Sequence, residues 1–273
     1  MKDPTRRNFL KDFGVGAAAL SMPPAGATAQ QMPGRPSSGD RESSASSTLM
    51  SIAAHPGDTF FAMGAPVAQH IQNGGRGVFL SLSLGEKGSG TIPPARYGPM
   101  QREASEHAAK MLGAQAVFLP YPDGEVPLND EISFAVCDVI REFKPAIVVT
   151  HWRGSWHKDH RNCYAVVNDA IFYAALPAIV RKLPAHTVSQ IYFAENWEDA
   201  KDFRADTYLD VNSACDRWLK ACSFFPMWRG ETGFRYDDYY RSLAIANGCL
   251  SGFNRAVALM SPEEQLTRRL RTL

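Results

Sequence analysis

The sequence predicts an α/β fold, a Rossmann-like, mostly parallel sheet with helices on both faces. Three observations carry that expectation. Short apolar runs recur along the chain without the polar alternation of a half-solvated sheet, as strands buried on both faces require. Longer amphipathic stretches separate them, with the length that crossover helices between parallel strands need. Two segments rich in ligand-type side chains, His55-Pro56-Gly57-Asp58 and His157-Lys158-Asp159-His160, follow such runs. Open α/β sheets place their sites at that position, beyond the carboxyl ends of the strands.

The elements are expected in the following order. Residues 49–54 (Leu-Met-Ser-Ile-Ala-Ala) form the first strand and end at His55, whose backbone Pro56 biases toward an extended conformation. A helix over 63–73 stops at Asn73-Gly74-Gly75, and that turn opens a strand over 77–82. A helix over 97–112 leads to the apolar run 116–119, and a helix over 131–143 leads to a fourth strand at 146–149. A helix over 160–175 then begins within the second ligand-rich segment, with 190–193 and 207–211 as later strands. The two ligand-rich segments thus converge on one edge of the sheet.

The ends and the composition bound the rest. Thr5-Arg6-Arg7-Asn8-Phe9-Leu10-Lys11, an apolar stretch over 13–22 and Ala27-Thr28-Ala29 read as a twin-arginine export signal over residues 1–29, cleaved before Gln30. The expected location is periplasmic or extracellular. The apolar stretch is too short for a bilayer span, so no stable membrane insertion is expected once the signal is removed. Residues 30–47 are rich in Pro, Gly and Ser and are expected to form a flexible linker, with one domain over 48–273. Lys2, Arg6, Arg7 and Lys11 outnumber Asp3 and Asp12, so the net charge of +1 becomes −1 without the leader. No basic stripe is present, which argues against a nucleic-acid partner and leaves a small molecule or a glycan. The five cysteines have no Cys-x-x-Cys spacing and are expected to be buried thiols. Nothing in the sequence selects an oligomeric state.

Two common motifs are excluded. Gly85-Glu86-Lys87-Gly88-Ser89-Gly90 lacks the spacing of a phosphate loop and is expected to be a mobile rim loop. Ser81-Leu82-Ser83-Leu84-Gly85 lacks the first glycine of a nucleophile elbow. The two ligand-rich segments offer what a hydrolytic zinc site requires, three His or carboxylate ligands with one position left open. His157 and His160 stand at i, i+3 and share one helix face. Asp58 serves either as a ligand or as a helix N-cap. Trp152 and Trp156 flank the second segment, either to stack on a sugar or to pack at the sheet rim. Trp197, Trp228 and the Tyr236-Asp237-Asp238-Tyr239-Tyr240-Arg241 cluster are expected to wall the pocket or to form surface contacts.

Ala54-His55-Pro56-Gly57-Asp58-Thr59 resembles the Ala-His-Pro-Asp-Asp-Glu motif of the LmbE-like deacetylases, a family that includes the PIG-L N-acetylglucosaminyl-phosphatidylinositol deacetylases. His157-Lys158-Asp159-His160 resembles that family's His-Pro-Asp-His. Leu112-Gly113 and Tyr121-Pro122-Asp123-Gly124 resemble landmarks between the two. The resemblance covers residues 50–163. It implies one zinc ion per chain on His55, Asp58 and His160, an oxyanion-stabilising His157, and Asp159 orienting a site histidine. It also implies substrate contacts from Asp123 and from a helix-borne arginine, for which Arg102 is the nearest match, displaced by one position. The implied reaction is hydrolysis of an N-acetyl group on an amino sugar or related amide.

One departure stands out. The family's proton-accepting aspartate is replaced by Gly57, and such a base typically contributes about a hundred- to ten-thousand-fold. Either another group (Glu86, Asp123, His151 or Asp159) takes the proton, or the substrate is more reactive or itself assists, or the protein binds zinc and a carbohydrate without turnover. An esterase or amidase acting on a non-sugar substrate differs only in its pocket contents. Thr59, in place of the family's glutamate, is a second and milder departure.

Overall fold

The computed structural model describes residues 47–262. The expected export signal and nearly all of the linker lie outside those residues. Seven strands form one sheet: β1 (Thr48–Ala53), β2 (Arg76–Ser81), β3 (Gln115–Phe118), β4 (Ile147–Thr150), β5 (Gln190–Ala194), β6 (Thr207–Asp210) and β7 (Ala256–Met260). Their order is β3-β2-β1-β4-β5-β7-β6. The first five run parallel, and β7 pairs antiparallel with both β5 and β6. The mostly parallel α/β fold is therefore as expected. The short run Ala-Val-Ala-Leu-Met of β7 was not expected as a strand, and it turns that edge antiparallel.

Every residue of β1 is buried, because side chains on both of its faces meet helices. Leu49 and Ala53 face a core with Phe60, Phe79, Val149 and Trp218. Helices α1 (Pro56–Phe61), α2 (Gly64–Gln72), α3 (Pro94–Leu112), α6 (Cys215–Cys222) and α7 (Tyr236–Ser251) contribute to this layer. Met50 and Ile52 face the opposite core, built with Val136, Ile140, Val166 and Val167 of α4 (Asp130–Phe143) and α5 (Lys158–Ala175). Truncating Phe60, fully buried and stacked 4.1 Å from Phe79, would cost about 3–5 kcal/mol. All five cysteines are unpaired, and four of them are buried. No described helix is long and apolar enough to cross a membrane.

Local sequence explains the two helices that frame the second ligand segment. Asn129 caps α4 by accepting the Ile132 amide at 3.2 Å, and Asp130 and Glu131 complement the helix dipole in the first turn. Ile132, Val136 and Ile140 recur every four residues and form the buried stripe. From the same helix, Arg141 is only 1% exposed. Its guanidinium donates to the carbonyls of Tyr173, Ala174, Leu176, Ile179 and Leu183 at 2.9–3.2 Å. These include the last carbonyls of α5, which no helical amide can satisfy. Arg141→Leu removes a donor from all five and leaves the Ile179 and Leu183 carbonyls with none among the described residues, whereas the Leu176, His186 and Ile179 amides still reach the other three. It should cost about 3 kcal/mol and lower the melting temperature by roughly 6–12 °C. A thermal scan that shows no shift would remove Arg141 as the clasp of α5.

Candidate active site

Strand β1 sits between β2 and β4, and the segments leaving β1 and β4 diverge to opposite faces of the sheet. The crevice between them is the topological switch point. His55 follows β1 in extended conformation and occupies the N-cap position of α1, with Pro56 next. Asp58 lies in the first turn of α1 and does not cap it. His157 is the N-cap of α5, and its Nδ1 accepts the Asp159 amide at 3.2 Å. His160 follows in the first turn.

The two distant segments meet. His55 Nδ1 lies 3.0 Å from Asp58 Oδ2, His160 Nε2 lies 3.2 Å from the same oxygen, and the two nitrogens are 3.3 Å apart. Donors about 2.0 Å from a tetrahedral ion stand about 3.3 Å from one another, so this triangle fits a small divalent cation. The surrounding bonds fix which atoms face inward. Asp199 accepts from His160 Nδ1 and His151 Nδ1, each at 2.8 Å, which leaves His160 Nε2 to face Asp58. Asn196 Nδ2 donates to Asp58 Oδ1 at 3.1 Å. This is the carboxylate–histidine arrangement that orients metal ligands. His157 also brings a ring nitrogen within 4.8 Å of His55 and His160.

Electrostatics follow from the burial of so many ionisable groups. Burial pulls His160 down, but Asp58 and Asp199 outweigh it and raise it to about 9. His55 is likewise raised, against burial, by Asp123, Asp159 and Asp58. His157 goes the other way: burial and the neighbouring His160 and His55 lower it to about 4. It is therefore neutral near pH 7. With Nδ1 occupied as an acceptor, its Nε2–H is a donor. Burial, with Asp58 adding to it, raises Glu198 to about 7.

The triangle opens into a cleft of about 670 Å³, part of it continuous with solvent. Phe61, Gln101, Asp123, His157, Glu198, Met227 and Tyr236 are among its walls. Asp123 Oδ1 is 3.0 Å from His55 Nε2, and its Oδ2 accepts the Lys87 amide at 2.8 Å. Glu86 accepts the Asp123 amide at 2.9 Å, so the Gly85–Gly90 segment is a rim loop pinned by hydrogen bonds. Asp159 is fully buried behind His55, with Oδ2 3.5 Å from His55 Nε2 and accepting the Gly124 amide at 2.6 Å.

Two expectations are corrected. Trp152 is 2% exposed, packs on Phe193 and donates its indole N–H to the Lys201 carbonyl, so its faces are closed to a sugar. Arg102 lies outside the cleft lining, its guanidinium over the Phe118 ring. One residue is 100° of helix, and Gln101 faces the cleft instead. Trp156 is 66% exposed beside His157 and Trp197, at the rim. Trp228 is buried in the core, and Trp197 stacks on Phe234. Asn196, Glu198 and Asp199 were not singled out in the sequence. Their signal was a polar cluster, Glu195-Asn196-Trp197-Glu198-Asp199, directly beyond β5.

Gly57 leaves no hole. A Cβ built there would lie 3.1 Å from Met227 Sδ and 3.3 Å from Phe61 Cε2. Gly57→Asp therefore overpacks the wall and should cost about 1–2 kcal/mol. Adding Met227→Ala should return part of the lost melting temperature. A single variant as stable as wild type would contradict this packing.

Residues 50–171 match the PIG-L family, described as GlcNAc-PI de-N-acetylase. A 4-oxalmesaconate hydratase of Pseudomonas putida is 24% identical over 206 residues, 72% of this chain and 78% of that protein. A 1D-myo-inositol 2-acetamido-2-deoxy-alpha-D-glucopyranoside deacetylase of Geodermatophilus obscurus is 26% identical over 53% of this chain and 60% of its own length. The crystal structure of GalB, the 4-carboxy-2-hydroxymuconate hydratase of Pseudomonas putida, superposes with a TM-score of 0.74. It is 22% identical and covers 82% of this chain and 99% of GalB, a likeness of fold. Residues 50–171 thus carry a match to the PIG-L family, within a chain whose fold is like that of GalB.

Proposed function

We propose that the protein is a zinc-dependent hydrolase that removes an N-acyl group, acetyl in the simplest case, from an amino sugar or related amide. The observation that carries this reading is the donor triangle of His55, Asp58 and His160, open toward a cleft with the His157 N–H beside it. Held there, zinc would polarise the acyl carbonyl and make water nucleophilic near neutral pH.

The chain's own residues supply the rest. His157 donates from Nε2 to the carbonyl oxygen as negative charge develops on it. Asp199 fixes the ring of His160, while Asp123 and Asp159 fix that of His55. Gln101 Oε1 is buried without a partner at the cleft wall and offers an acceptor to a substrate N–H or O–H. Tyr236, whose phenol burial holds well above its usual range, stays protonated as a donor. Trp156 offers an exposed ring for a sugar face at the rim.

The hydratase relative motivates a second reading, addition of water to an unsaturated carboxylate. Among the described residues no lysine or arginine lines the cleft, whereas Asp58, Asp123 and Glu198 do. That lining favours a neutral amide over a polyanion. The reading of a carbohydrate-binding protein without turnover rests on Gly57. Acetate release from N-acetylglucosamine derivatives by the zinc-loaded protein separates the three. Binding without acetate release favours the third, and hydration of a carboxymuconate without acetate release favours the second.

Export by the twin-arginine signal belongs to the same proposal; it predicts a mature N-terminus at Gln30, readable by mass spectrometry of the secreted protein. His160→Ala should empty the metal site, and unchanged zinc by elemental analysis would contradict its role. His157→Ala should keep the metal and lose about a hundred- to a thousandfold in turnover; loss of zinc would make it a ligand. Asp199→Asn should weaken zinc binding about 10- to 100-fold in a competition titration.

A further inference from the structure

The place where the PIG-L motif carries its carboxylate is closed. Met227 Sδ occupies the approach to Gly57, and Gln101 Nε2 lies 3.6 Å from that sulfur. This wall of the cleft is a thioether and an amide, neither of which takes a proton from water near neutral pH.

The other titratable groups of the cleft are either engaged by a partner or closed to solvent. His151 is fully buried, with Nε2 accepting the Ala54 amide at 3.2 Å and Nδ1 on Asp199. His157 Nδ1 accepts the Asp159 amide. Asp123 divides its oxygens between His55 and the Lys87 amide. Asp159 has no exposed surface, and Glu86 stands outside the lining, bonded to the Asp123 amide. Glu198 differs from all of these. It lines the cleft, its Oε2 is 3.8 Å from His160 Nε2, and no hydrogen-bond donor among the described residues engages its carboxylate. Its backbone is held on three sides: its amide donates to Asn196 Oδ1 at 3.1 Å, and its carbonyl accepts from Ser155 Oγ at 3.0 Å and the Trp156 amide at 3.2 Å. A positioned main chain and an uncommitted carboxylate are what a proton-transfer group needs.

We propose that Glu198 is the catalytic residue that moves the proton in place of residue 57, a role that rests on the hydrolase reading for its substrate but not for its geometry. Water gives one proton to the Glu198 carboxylate as its oxygen bonds to the acyl carbon. The C–N bond then breaks with its electron pair on nitrogen, and the proton on Glu198 passes to that nitrogen. One water is consumed, an acid and an amine leave, and Glu198 returns ionised.

The test uses Glu198→Gln, which keeps size and shape. Zinc content should remain at the wild-type level. Acetate release should fall about a hundred- to ten-thousand-fold, with KM within a few-fold. A second readout needs no turnover. Acetohydroxamic acid, titrated calorimetrically into zinc-loaded protein, must give up a proton to a nearby base when it binds, so its affinity should fall at least tenfold in the variant. Glu198→Asp, which keeps the carboxylate but withdraws it, should fall between the two in both measurements. Hydroxamate affinity within threefold of wild type, or loss of zinc from Glu198→Gln, overturns the proposal. If wild type releases no acetate from any N-acetyl substrate while hydroxamate affinity depends on Glu198, the hydrolase reading fails and the proton-accepting role stands.

Discussion

The parallel pairing of β1 with β4 is the constraint on which the rest of the molecule depends. Leu49 to Ile52 lie in register with Ile147 to Thr150, so both strands end at the same height. The chain then leaves them toward opposite layers. A crevice is unavoidable there, since no crossover covers the gap between the two departing segments. His55 and the turn leading to His160 border it for that reason, although 105 positions separate them in sequence. Replacing that pairing with any other strand order would scatter the donors, whatever their local sequence.

The price of the crevice is a concentration of charge in a dry setting. Four histidines and the carboxylates of Asp58, Asp123, Asp159 and Asp199 share it, most of them with little exposed surface. Such a group is tolerated only when nearly every donor meets an acceptor. Asp199 is the member with the most consequence, because each of its oxygens serves a different imidazole. Asp159 Oδ1 remains buried and unpartnered, one of few such atoms in the described residues. The cluster is costly to fold and rigid once folded, the combination expected of a binding site organised before its ligand arrives.

Much of this was legible in the sequence, for identifiable reasons. The first five strands are apolar runs bounded by turns or helices, and the two ligand-rich segments sit directly beyond two of them. Strand β7 escaped because five apolar residues after a long aromatic helix carry no period that distinguishes strand from helix. Helix α7 escaped because Tyr236-Asp237-Asp238-Tyr239-Tyr240 mixes buried and exposed aromatics, which blurs its apolar face. The wall formed by Asn196, Glu198 and Asp199 depends on β5 lying next to β4, a neighbour relation that spacing alone does not specify. Arg102 was matched by residue type, but the angular position on α3 selects Gln101. Trp152 was read for its ring, when its indole N–H had a partner in the loop around Lys201.

The sign of the cleft lining reaches beyond substrate choice. With Asp58, Asp123 and Glu198 on its walls and no lysine or arginine among the described residues that line it, the cavity would offset most of the charge of a divalent ion held on the triangle. For an enzyme that liberates a carboxylic acid, the ion alone would then hold the ionised product, and the three carboxylates around it would favour egress of the spent acyl fragment.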